Sequence, residues 1–221
     1  MPSKDLKNIL KNAAYDLKFL LNRGYRKKVA LNLVANKYLL NKDGRNYLVR
    51  KVFSDEKSKE RSVKITDINI INNKTIFIDG YNVLISVETI WNQEFDSLIM
   101  CDDGILRDIK AVFGKYKTST STDAALNYII KFLYKHKPAC IYFLYDSQVS
   151  KSGELARHTD NLIKTKGLNG TAVTNKNVDF ELVKLSKNNG IIVATSDGIV
   201  IDKVDHVLDI PYWICKTLKY Y

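Results

Sequence analysis

Four apolar stretches of this chain run into aspartates. Thr75-Ile76-Phe77-Ile78 leads to Asp79, and Leu98-Ile99-Met100-Cys101 to Asp102 and Asp103. Ile141–Tyr145 leads to Asp146, and Ile191–Ser196 to Asp197. In an open parallel sheet, ligands bind beyond the carboxyl ends of the strands. If these stretches are strands of one such sheet, their carboxylates gather along one edge. Crowded like charges need a cation or raised pKa values. Mg²⁺ and Mn²⁺ prefer oxygen donors and keep bound water, which suits an all-carboxylate set. A metal so held lowers the pKa of a water and stabilises charge on a phosphodiester, which is metal-assisted hydrolysis. A strand-end aspartate can also simply cap the next helix, and Asp102 or Asp103 fits that role before Ile105. Four strand ends sharing the feature favour the site.

Other segments admit two readings each. Ser147–Glu154 leads into a helix, where Ser150, Lys151 and Ser152 could hold a phosphate at exposed amides, or Ser152 could merely cap. Arg107 is placed to touch a scissile phosphate, or to pair with Asp103 four residues earlier. Tyr81 and Trp91 could stack on bases or pack in the interior. His136, His158 and His206 share no metal-ligand spacing, and Cys101, Cys140 and Cys215 lack any CxxC pair. Structural zinc and a disulfide framework are therefore not expected, and the cysteines suit a reducing cytoplasm. GxSxG, GxGxxG and P-loop words are absent.

The elements that must position these residues follow from periodicity. Ile68–Ile71, Thr75–Ile78, Leu98–Cys101, Cys140–Tyr145, Ile191–Thr195 and Val207–Leu208 read as strands, with helices at about 105–114, 121–136, 153–166 and 178–187. Apolar strands alternating with helices predict an α/β domain over 63–221 with a mainly parallel sheet. Ahead of it, residues 5–21 follow a 3.6 period, Gly24 suits a left-handed helix end, and a second helix fits 26–40. Asp43 could cap a third helix reaching Phe53. A small all-α domain over 1–53 results, with the wholly polar stretch 54–62 as linker.

Charge divides at the same place. Met1–Phe53 holds 13 of the 35 Lys/Arg and 3 of the 24 Asp/Glu, which is +10 of the net +11. A basic appendage on a near-neutral body points to a polyanionic partner. Arg23, Arg26, Lys27, Lys28, Arg45, Arg50 and Lys51 lie around the helix turns with Tyr25 and Tyr47 among them, a mixture that suits RNA, while three short helices can also make a helix-turn-helix reader of DNA. No stretch is long and apolar enough for a membrane span, nor is there an apolar signal region at Met1–Asp5, so a cytoplasmic protein is expected. A homodimer is compatible with the sequence.

The words around the aspartates carry a resemblance. Ile78-Asp79-Gly80-Tyr81-Asn82-Val83-Leu84 resembles the opening motif of the PIN/NYN-like nuclease superfamily. Ala194-Thr195-Ser196-Asp197-Gly198 resembles its late TSD motif. Asp179 in Asn177-Val178-Asp179-Phe180-Glu181 is similar to the acid preceding that motif. With Arg23-Gly24-Tyr25 and Asn36-Lys37-Tyr38-Leu39-Leu40, the chain resembles an uncharacterised archaeal family joining a short helical domain of unknown function to a PIN-like domain. The resemblance implies a Rossmann-like α/β/α sandwich and a divalent-metal-dependent ribonuclease using Mg²⁺ or Mn²⁺. Asp79 would be the primary ligand, Asp146, Asp179 and Asp197 would complete the shell, and Asn82 would orient Asp79 or touch phosphate. The middle glutamate of the PIN pattern has no clear counterpart, with Asp102 or Asp103 as substitutes. An alternative is a non-catalytic RNA-binding or ribosome-associated factor on the same fold.

Overall fold

The computed structural model describes residues 4–110, 116–188 and 190–218. In chain order, the first half holds α1 (Lys4–Asn22), α2 (Lys27–Lys37), α3 (Lys42–Lys51), α4 (Asp55–Ser62), β1 (Thr75–Asp79), α5 (Gly80–Trp91), β2 (Leu98–Met100) and β3 (Leu106–Asp108). The second half holds α6 (Thr120–His136), β4 (Cys140–Asp146), α7 (Ser152–Thr165), β5 (Gly170–Asn175), α8 (Val178–Leu185), β6 (Ile191–Ala194), α9 (Gly198–Ile201), β7 (Val207–Leu208) and α10 (Ile210–Thr217). These elements form two compact units, one of residues 1–63 with 96–111, the other of 64–95 with 112–221.

The larger unit is α/β. Its five strands are all parallel, in the order β5-β4-β1-β6-β7, flanked by helices. β1 is central because Ile76, Phe77 and Ile78 are buried, as a strand covered on both faces requires. It pairs Ile76 with Ile141 on one side and Ile192 on the other. From β1 the chain winds outward through β4 and β5, then returns to β1's other side for β6 and β7. The strand order therefore reverses between β1 and β6, and such a reversal opens a crevice at the strands' carboxyl ends.

The smaller unit packs α1, α2 and α3 around Ala13, Leu17, Ala30, Val34, Ala35, Leu40, Leu48 and Val52. Gly24 ends α1 at φ +83°, as expected. Three expectations fail here. Asn41, not Asp43, caps α3, accepting from the Gly44 amide at 2.9 Å. The expected linker is helix α4, because Ser54 caps it while Asp55 and Glu56 at its start and Lys59 and Arg61 at its end complement its dipole. The stretch read as a helix at 105–114 instead begins with β3. Leu98–Asp108 forms an antiparallel hairpin with Leu98 opposite Asp108, outside the main sheet. Residues 111–114 lie outside the described residues. The hairpin is tied to α3: Lys51 Nζ donates to the Met100 carbonyl at 3.0 Å, and the Asp102 amide donates to the Lys51 carbonyl at 2.9 Å.

Two further differences concern the larger unit. Ile68–Ile70 is one turn of 3-10 helix held by Asp67, not a strand. β5 and α5 were not expected. β5 is an edge strand with two exposed residues, Val173 and Thr174, and α5 is apolar nearly all round, so neither shows a period.

Candidate functional site

The reversal point is where the Asp79 and Asp197 words meet. Asp79 ends β1 and caps α5, its Oδ1 accepting from the Asn82 amide at 3.4 Å. Its Oδ2 accepts from the Thr195 hydroxyl at 2.9 Å, just past β6. Asn82 completes the seam. Its Oδ1 accepts from the Ser196 amide at 2.8 Å and the Ser196 hydroxyl at 2.6 Å. Asp197 caps α9, accepting from the Ile199 amide at 2.7 Å and the Val200 amide at 3.2 Å. Capping and clustering are thus one arrangement: helix starts fix the carboxylates while the sheet brings them together.

Electrostatics bind two more acids to this group. Asp79 is buried, and its carboxyl is pushed up to about 7, by desolvation first, then by the charges of Asp179 and Asp197. The hydrogen bonds from Thr195 and Asn82 oppose that rise. Asp179, in the first turn of α8, is raised by desolvation and by Asp197 and Asp146. Asp146 ends β4, and its Oδ1 accepts from the Gln148 amide at 2.8 Å. Asp79, Asp146, Asp179 and Asp197 therefore share one field at the crevice.

Thr195 and Ser196 belong to the site although sequence reasoning assigned roles only to Asp197. Their signal was two hydroxyl residues between an apolar strand and an aspartate. Among the described residues, no group of three or more His, Cys, Asp or Glu side chains is arranged to hold a metal ion. The donor set instead fits a hard cation held by one or two carboxylates, with water filling its other positions.

Other expected participants are elsewhere. Asp102 and Asp103 belong to the smaller unit's hairpin, not to this sheet edge. Asp103 is fully buried, and the Arg107 guanidinium grips it through two bonds of 2.6 and 2.8 Å. Arg61 adds a third at 3.0 Å. Burial raises the Asp103 carboxyl, but the two guanidiniums outweigh it and hold it below its usual value. Arg107 is thus the partner of a buried acid, not an exposed phosphate contact. Tyr81 is 2% exposed and meets Tyr116 and Tyr145 edge-on, each 5.2 Å away, so it is core packing. Trp91 ends α5, about 18 Å along the helix from Asp79. It lines an apolar pocket of about 240 Å³ with Val87, Ile90, Tyr128 and Ile214.

At the start of α7, Ser150 and Lys151 are exposed and Ser152 is buried. Lys151 occupies the cap position at φ +64° with no side-chain cap bond, so capping by Ser152 does not occur. In the smaller unit, Arg26 and Lys28 are exposed, and Arg23 lies over the Phe19 ring at 4.4 Å. Arg45 bonds the Leu40 carbonyl and Asn36 Oδ1, joining α2 to α3. Lys27 is turned inward: Nζ donates to the Val49 and Val52 carbonyls at 2.8 and 2.7 Å and sits 3.7 Å from the Phe53 ring centroid. Burial, then Arg61 and Arg107, lower its pKa to about 8. Lys27 therefore caps α3, its half-buried ammonium engaged within the smaller unit.

An α/β unit with an acidic crevice at its strand reversal, in one chain with a basic helical unit, is the class that this geometry defines. The chain belongs to the family described as a domain of unknown function, DUF5616, which matches residues 68–213. Residues 9–64 match a second family, a protein of unknown function, DUF434. An uncharacterized protein of Methanocaldococcus jannaschii is 38% identical over 213 residues, covering 96% of this chain and 97% of that protein. No solved structure matches the chain. No helix among the described residues is long and apolar enough to cross a membrane.

Proposed function

We propose that this protein is a divalent-metal-dependent ribonuclease with a PIN-like fold, its basic N-terminal helices binding the RNA. The observation that carries the reading is the seam at the strand reversal, where Asp79 and Asn82 bond Thr195 and Ser196 beside Asp197. A buried carboxyl raised to about 7 exchanges its proton for a cation near neutral pH. Mg²⁺ or Mn²⁺ held by Asp79, with Asp179, Asp197 and Asp146 direct or through water, would activate a water toward a phosphodiester. Asn82 and Thr195 hold the Asp79 carboxylate in place for that contact. Ser150 and Lys151, exposed at the start of α7, are available to a phosphate.

The test is cleavage of mixed RNA and single-stranded DNA with Mn²⁺, Mg²⁺ or EDTA, comparing the protein with Asp79→Asn. Cleavage of RNA that needs metal and falls at least a hundredfold in the variant is expected. Cleavage persisting in EDTA or in Asp79→Asn would sink the proposed site.

A second reading is a non-catalytic RNA-binding factor. The placement of Asp102 and Asp103 in the hairpin favours it, because no middle acid then joins the crevice. RNA binding with no cleavage under any metal would select it.

A further inference from the structure

Helix α1 turns one side into the smaller unit's core and leaves a chemically unusual ridge on the other. Ala13 and Leu17 are fully buried. Lys7, Lys11, Tyr15, Phe19 and Arg23, each four residues from the next, are all exposed. Tyr15 is 74% and Phe19 49% exposed, high values for rings that could have faced the core. Residues four apart on a helix are neighbours, and the row they make turns by about 40° at each step, so it winds across the exposed side. The ridge therefore reads cation, cation, ring, ring, cation, and Arg23 already lies 4.4 Å over Phe19.

The charge on this ridge is not neutralised by an ion pair among the described residues. Lys7 and Lys11 make no ion pair among the described residues, whereas Lys18 pairs with Asp55 at 2.9 Å. Asp16 is taken by Lys37 and Tyr38, and Asp5 is two residues from Lys7, off the ridge. Planar apolar groups carried on a polyanion meet both needs.

We infer that this α1 ridge is a stacking platform for single-stranded nucleic acid, bases lying on Tyr15 and Phe19 and phosphates on Lys7, Lys11 and Arg23. The inference rests on the reading of the chain as an RNA-acting protein and names the form of nucleic acid that it holds. Successive ridge residues rise about 6 Å along the helix. Stacked bases in a duplex strand rise about 3.4 Å. Bases on both rings are thus unstacked from each other, which a single strand permits and a duplex resists. Rings and cations do not read the 2′-hydroxyl, so RNA and DNA single strands bind alike here.

The test is fluorescence anisotropy on the full-length protein in EDTA, which stops cleavage while leaving binding. The probes are a labelled oligouridylate about a dozen nucleotides long, the matching DNA, and an RNA duplex of that length. Single strands of both kinds should bind within a few-fold of one another and well above the duplex. Tyr15→Ala with Phe19→Ala should weaken binding at least tenfold at unchanged salt slope. Lys7→Ala with Lys11→Ala should flatten the slope of log affinity against log salt by about 1.4. Tyr15→Phe with Phe19→Tyr should restore affinity. Unchanged affinity in the ring variant overturns the platform while leaving RNA binding in place, as does equal binding of the duplex. No binding by the wild type overturns both. If the ring variant alters self-association and not affinity, the face belongs to a second copy and the platform falls. Binding as expected, with cleavage absent in the Mn²⁺ assay, keeps the platform and removes the nuclease reading.

Discussion

At the residue scale, Asp79 carries opposed demands. Its folded-state pKa, about 7, lies above the ordinary 3.8, so protonation favours the fold. That contribution is complete below the ordinary value and is lost as pH rises to about 7. The gap corresponds to at most roughly 4 kcal/mol. Asp79→Asn, which cannot ionise, should therefore raise the melting temperature at pH 8 and change it little at pH 4. Mn²⁺ should raise the wild-type melting temperature more at pH 8 than at pH 5.5, with no such shift in the variant. Calorimetry across that range checks both, and an equal Mn²⁺ shift in Asp79→Asn would remove Asp79 from the metal's ligands.

At the element scale, the turn from β1 into α5 depends on Gly80. A Cβ there would sit 2.4 Å from the Tyr145 ring, whose side chain is fully buried and whose hydroxyl bonds Thr159. The ring has no room to yield. Gly80→Ala should cost roughly 1–3 kcal/mol in urea unfolding and, on the proposed nuclease reading, lower cleavage more than tenfold by shifting Asp79. This turn also shows what was legible beforehand. The runs ending at Asp79, Asp146 and Asp197 are buried strands, and continuous apolar sequence marked them. The same rule misplaced Leu98–Cys101, because two residues of a short hairpin's β2 are only half-buried and periodicity cannot tell which sheet a run joins. β5, with its exposed Val173 and Thr174, left no pattern to read. Asp79, Asp146 and Asp197 followed from strand ends, whereas Asp179, in the first turn of α8, came only from the resemblance. The Thr195 and Asn82 bonds needed the strand order, which no local pattern states.

At the scale of the whole molecule, the smaller unit is made from two separate stretches of chain. Asp103, Arg61 and Arg107 lock them together from α4 and the hairpin. Asp103→Asn removes the charge that both buried guanidiniums grip and should cost roughly 3–5 kcal/mol. Replacing all three with apolar residues of similar volume should be close to neutral, and urea midpoints of the two variants decide between a needed ion triad and a replaceable one. On the proposed reading, the +10 carried by Met1–Phe53 would supply affinity for a polyanion without fixing where it binds. Lys27 is spent on α3's carbonyls, and the charge that reaches solvent includes the α1 ridge.

The hairpin has a consequence for how the chain comes into being. Residues 1–63 emerge from the ribosome first, yet their packing partners at Leu98–Asp108 arrive only after β1 and α5 have been synthesised. Nascent domains usually close as soon as their own sequence is complete. Here the first unit waits on a piece delivered inside the second. The boundary between the two matched families near residue 64 therefore cuts through a physical unit. Splitting the gene there would leave the first product without its last two strands, a reason for the two families to travel as one polypeptide.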